Sequence, residues 1–169
     1  DITLNDGSII TLAPDSKLVV QMSAEYRHVN FIQGEAYFSV AKDQSRTFQV
    51  EAGGTAVRVL GTEFNVRRSE QAVDIAVAEG RVEVSHQAPN TEEKYKTVLI
   101  QGQTVSGDRK GSLSAVNQTS PKDVAAWREG RLVFDDVPLS TVVDTLRRYS
   151  KRSIEVANPK VGKLRVTIS

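Results

Sequence analysis

Few side chains in this 169-residue chain have the types and spacing that chemistry requires. The two histidines, His28 and His86, are far apart, and Glu25 alone stands three residues before His28. One such pair without further nearby ligands does not make a metal site. Asp135 and Asp136 are adjacent on a turn-like stretch, whereas acid–base work needs carboxyls that converge across a cleft. They read instead as the opening of the next helix, where negative charge is favourable. Cysteine is absent, which excludes disulfides, thiolate nucleophiles and Cys-ligated zinc or iron–sulfur centres. Gly61-Thr62-Glu63-Phe64 is followed by neither a lysine nor a helix start, so it cradles no phosphate, and Gly61 reads as a turn or bulge. No cofactor and no catalytic residue is expected.

The elements that would position any site are mostly strands. Residues 34–40 read GEAYFSV, 61–66 GTEFNV, 80–84 GRVEV and 130–134 GRLVF. In each phrase a glycine permits a turn, and the residues after it tend to alternate between apolar and polar. Asn5-Asp6-Gly7 is a hairpin turn between short apolar runs, and Val73, Ile75 and Val77 alternate strictly. Residues 87–96 are polar, contain Pro89-Asn90, and are expected to form a long exposed hairpin loop. Helical periodicity begins only after Asn117. Ser120-Pro121 starts a short helix through Val124, Ala125 and Trp127. A second helix begins at Pro138, with Leu139, Val142, Val143 and Leu146 on one face. Strand-like Leu132-Val133-Phe134, Ile154-Glu155-Val156 and residues 164–168 flank it, so a β-α-β-β unit is expected. The lone tryptophan, Trp127, is expected to be a buried anchor between two domains.

Composition bounds the function classes. A net charge of +1 gives no global field to draw nucleic acid or an anionic membrane. No apolar run approaches the ~18–20 residues that span a bilayer. The start at Asp1, in a strand-like segment, reads as an excised portion of something longer. Three parts are expected: a β-rich domain over 1–116, a linker with a short helix over 117–130, and a small α+β module over 131–169.

The blocks GEAYFSVAKD (34–43), FQV (48–50), VRVLGTEFNVR (57–67), AEGRVEV (78–84) and AWREGRLVFDDVPLSTVV (126–143) stand in a specific order, with DGS at 6–8 and RYS at 148–150. Together they resemble the periplasmic region of FecR-type sigma regulators, the anti-sigma proteins of cell-surface signalling. The turn–strand phrases make the fold mainly β, with an N-terminal antiparallel β-domain whose stacked phrases allow a solenoid-like arrangement. The resemblance implies that a truncated βαβ module follows, similar to the short N-terminal domain of secretins and TonB-dependent receptors. It implies the periplasmic part of a single-pass inner-membrane protein, with no direct membrane contact from this portion. Its implied partners are the signalling domain of a TonB-dependent outer-membrane receptor and, through an absent cytoplasmic part, an extracytoplasmic-function sigma factor, relaying siderophore and iron-uptake status.

The expected contact residues lie on the terminal module. They are Arg147, Arg148, Tyr149 and Arg152 at the end of the second helix, and Lys163, Leu164, Arg165, Val166, Thr167 and Ile168 on the last strand. That strand would offer unpaired backbone groups to an incoming strand. The cations, Lys151 among them, read either as a docking patch for an acidic partner or as a solvated helix end. A carbohydrate-binding or carbohydrate-processing β-domain is the alternative class. It would call for paired carboxylates in a cleft and for aromatic platforms, and aromatics are only 6% of the chain.

Overall fold

The computed structural model describes residues 1–87, 92–150 and 152–168, which divide into two compact units, 1–125 and 126–169. The first unit carries β1 (Ile2–Thr3), β2 (Ile9–Leu12), β3 (Lys17–Met22), β4 (Arg27–Ser39), β5 (Phe48–Ala52), β6 (Thr55–Val59), β7 (Glu63–Arg68), β8 (Ala72–Glu79), β9 (Arg81–Gln87), β10 (Lys94–Ile100), β11 (Gln103–Asp108) and β12 (Asn117–Gln118). All twelve join one curled sheet, and the long strand β4 belongs to both of its halves. Residues 27–33 of β4 pair with β3 and β5 in the half completed by β6, β9 and β10. Residues 34–39 pair with β2 and β7 in the half completed by β1, β8, β11 and β12. Most pairings are antiparallel as expected, but β4 and β5 run parallel, so the sheet is mixed.

The bend in β4 has a local cause. Val29 and Phe31 point inward in the first half, Ala36 and Phe38 in the second, so the alternation changes phase between them. A period-two strand changes phase only at an irregularity. Gly34 supplies it at φ 93°, and a Cβ there would fall 2.4 Å from Ser16 Oγ. That hydroxyl secures the bend, donating to the Glu35 carbonyl and accepting from the Glu35 amide, both at 2.9 Å.

The two halves enclose one core. Phe38 stacks on Phe64 at 5.0 Å and meets Phe31 and Phe48 edge-on at 6.4 and 6.3 Å, which joins the halves through aromatic contacts. One cation is embedded beside this core. Arg27 is 1% exposed, pairs with Asp6 at 3.0 Å, and donates to the carbonyls of Ala41, Asp43 and Arg46. Its guanidinium carbon lies 5.5 Å from the Phe48 ring centroid. Gly61 is dictated by close approach, because a Cβ would meet Lys42 Cα at 2.7 Å. The expected 87–96 loop needs correcting: Gln87 ends β9, and Lys94, Tyr95 and Lys96 pair with Gln87, His86 and Ser85. Its centre, 88–91, lies outside the described residues.

The second unit contains a 3₁₀ turn at Ala126–Glu129, β13 (Phe134–Pro138), α1 (Leu139–Tyr149), α2 (Pro159–Gly162) and β14 (Arg165–Ile168). Val142, Val143 and Thr145 are buried on α1, while Leu139 and Leu146 are half-buried, so the apolar stripe faces the unit's own interior. Asn158 caps α2 by accepting from the Lys160 amide at 2.9 Å. Three expectations need correcting. Ile154-Glu155-Val156 is not a strand: its only described backbone engagement is the Ile154 carbonyl, which accepts from Arg147 Nε at 2.6 Å. Leu132 and Val133 likewise precede the strand. Trp127 is half-buried in the 3₁₀ turn, not fully buried.

Candidate functional site

The expected contact residues assemble around β14 and the end of α1. β14 pairs with β13 in a two-stranded antiparallel sheet, and its other edge carries no strand among the described residues. The ribbon is irregular: Phe134 opposes Ile168 and Val137 opposes Val166, with a bulge between them. Asp135 and Asp136 occupy that bulge, Asp136 at φ 45°. They do not open the helix as expected, because Pro138 takes the N-cap position without a side-chain cap. Asp136 pairs instead with Arg165 Nε at 2.6 Å, and this contact holds its carboxyl below the usual range. Thr167 Oγ1 accepts from the Asp136 amide at 3.0 Å and donates to Asp135 at 3.2 Å. Arg165 and Thr167 thus fasten the bulge, and their side chains are already engaged.

The basic end of α1 is less uniform than its sequence. Arg147 pairs with Asp144 at 2.9 Å and reaches the Ile154 carbonyl, so it ties the chain after the helix to the last turn. Arg148 is half-buried, whereas Tyr149 and Arg152 are exposed. Lys151 lies outside the described residues, as does Ser169 beyond β14. The surface left open is more apolar than cationic: Leu164 is 58% exposed, Ile168 43%, Val161 40% and Tyr149 39%. Sequence reasoning missed Val161. It sits in α2, where Pro159 and an Asn cap were legible signals of a helix start.

No group of three or more His, Asp or Glu side chains with a metal-binding arrangement occurs among the described residues. His28 lies between Gln21 at 3.4 Å and Glu51 at 3.4 Å on the outer face of the sheet, not with Glu25. His86 is buried within the β-unit. None of the described helices is long and apolar enough to cross a membrane.

Residues 1–83 match the family model for FecR protein. This region belongs to the FecR family. The FecR region takes in β1–β8 and the start of β9, including the bent strand, the Gly34 irregularity and the Arg27–Asp6 pair. Beyond it, fold similarity reaches further. Two crystal structures of a candidate anti-sigma factor from Parabacteroides distasonis are similar at TM-scores of 0.76 and 0.75, each at 27% identity. Each alignment covers 87% of this chain and 68% of the other. No curated protein matches the FecR-bearing chain by sequence.

Proposed function

We propose that this chain is the periplasmic signal-receiving portion of a FecR-type anti-sigma regulator. Its terminal unit docks the signalling domain of a TonB-dependent outer-membrane receptor and passes siderophore status toward a sigma factor held on the cytoplasmic side. The FecR region and the likeness to an anti-sigma candidate over 87% of the chain support the regulatory role. One observation favours the docking site: the open edge of β14 beside exposed Leu164 and Ile168. An edge strand with unpaired backbone groups accepts an incoming strand, and flanking apolar side chains supply the desolvated centre that tight interfaces need. The cations of α1 contribute steering more than affinity, since exposed charge pairs are worth only about 0–1 kcal/mol.

Calorimetric titration of the receptor's signalling domain into the whole chain tests this reading. Leu164→Asp and Ile168→Asp are expected to weaken binding at least about tenfold, a loss of roughly 1.4 kcal/mol. Arg58→Glu, on the outer face of the β-unit, is expected to leave it unchanged. The opposite pattern would move the site onto the β-unit.

A further inference from the structure

Among the described arginines of the β-unit that are buried or half-buried, ion pairing has one exception. Arg27, Arg46, Arg58 and Arg67 each hold a carboxylate within ion-pair distance: Asp6, Asp43, Glu83 and Asp74 in turn. Arg68, half-buried at the end of β7, holds none. Its Nη1 donates to the Phe31 carbonyl at 2.7 Å, while Nε and Nη2 have no acceptor among the described residues. A partly desolvated cation without a counter-charge carries a free-energy cost that a bound anion relieves. The Nε–Nη2 edge of a guanidinium also matches the two oxygens of a carboxylate.

Arg68 lines a cavity of about 370 Å³ where the ends of the two halves of the sheet face each other. One half contributes Arg68, Ala72 and Asp108, and the other contributes the Gly53 turn and His86. Gly53 sits at φ 60°, and even a Cβ there would contact Arg68 Nη2 at 3.6 Å, so glycine leaves the guanidinium uncovered. His86 serves as a wall, not a ligand. Its Nε2 lies 2.9 Å from the Asp108 carbonyl and its Nδ1 lies 2.8 Å from Thr55 Oγ1, so both ring nitrogens are engaged. A carbonyl oxygen only accepts, which places the proton of the neutral ring on Nε2.

Charge narrows the ligand. Arg109 stands exposed at the same cavity and adds a second cation. Asp108 opposes them: amide hydrogen bonds led by that of Ser112, with that of Lys110, hold its carboxyl ionised. Two cations against one carboxylate leave a single positive charge, which suits a monoanion. A phosphate dianion would meet the Asp108 charge. We propose that this cavity binds a small organic monocarboxylate, with its carboxylate on the Nε–Nη2 edge of Arg68 and its apolar part against Ala72. The inference is independent of the docking reading for the terminal unit.

The test is a titration of the whole chain with acetate, butyrate and benzoate, followed by NMR of the Arg68 Nε–H and His86 ring signals. Inorganic phosphate and chloride at matched ionic strength serve as comparisons. At least one carboxylate is expected to give a saturable shift, weakened about tenfold or more by Arg68→Gln and unaffected by Arg58→Gln. Shifts that never saturate, equal saturation by phosphate, or binding untouched by Arg68→Gln would each overturn the proposal. Should Arg68→Gln fail to fold, Ala72→Leu fills the cavity from another strand, and unaltered carboxylate binding by that variant would overturn it equally.

Discussion

Arg27 stabilises the β-unit through its partners and not through its charge alone. At 1% exposure it is paired with Asp6 and satisfies three carbonyls from the segment after β4. Removing one member of a buried pair strands the other, at a cost of about 3–5 kcal/mol. Arg27→Met is therefore expected to lower stability by roughly that amount in urea unfolding. Asp6 makes the same contact pH-dependent. Burial alone would raise its carboxyl, but hydrogen bonds from Ser8 and Arg27 outweigh burial and hold it below the ordinary 3.8. A depressed folded value contributes stability above the unfolded value and loses it as pH falls through the folded one. Asp6→Asn should accordingly flatten the loss of stability below pH 3.8, measured as unfolding free energy against pH. Nothing in the spacing around Arg27 announced this role. It is a charge at the start of a strand, and its partners lie 14 to 21 residues away in sequence. By contrast, Val29 with Phe31 and Ala36 with Phe38 were legible as alternating pairs on either side of Gly34, although only the irregularity there brings both pairs to one core.

At the level of single elements, glycine and alternation explain what could be read and what could not. Gly34 bends β4 at φ 93° against Ser16, so Gly34→Ala combines strained backbone with a clash at 2.6 Å from Ser16 Cα. A cost of about 2–3 kcal/mol is expected, seen as a lower thermal midpoint with the far-ultraviolet spectrum kept. Most strands of the β-unit were legible from period-two patterning. Residues 154–156 were not: Ile-Glu-Val fits a strand by composition, yet the segment has no ladder partner and is held by Arg147. Strand propensity describes fitness for a pleated surface and does not supply the neighbour. The candidate site was legible in part for the same reason. The strand at 164–168 followed from pattern, but the bulge that engages Arg165 and Thr167 depends on a register shift that sequence does not display.

The whole chain divides after Ala125, and β12 belongs with the first unit through its pairing with β11. A fragment ending at Ala125 is expected to unfold cooperatively by itself. One ending at Val116 loses the Asn117 and Gln118 ladder and the bond from the Thr119 amide to the Gly102 carbonyl. It should have a lower urea midpoint than the longer fragment. Equal midpoints would show that β12 adds nothing. The cavity around Arg68 depends on this level of organisation, since its walls come from strands that only the curled sheet brings together. That is why no local motif pointed to it.

Because β4 serves both halves, the chain visits them by turns: β5 and β6 join one, β7 and β8 the other, and β9 returns to lie beside β6. Neither half can be completed while its companion is still missing from the nascent polypeptide. A ribosome would therefore release most of the β-unit before either half has all of its strands. Topologies dominated by such distant pairings fold in roughly milliseconds to seconds. By giving one strand to both halves, the bend at Gly34 ties the completion of each half to strands that are far apart in the chain.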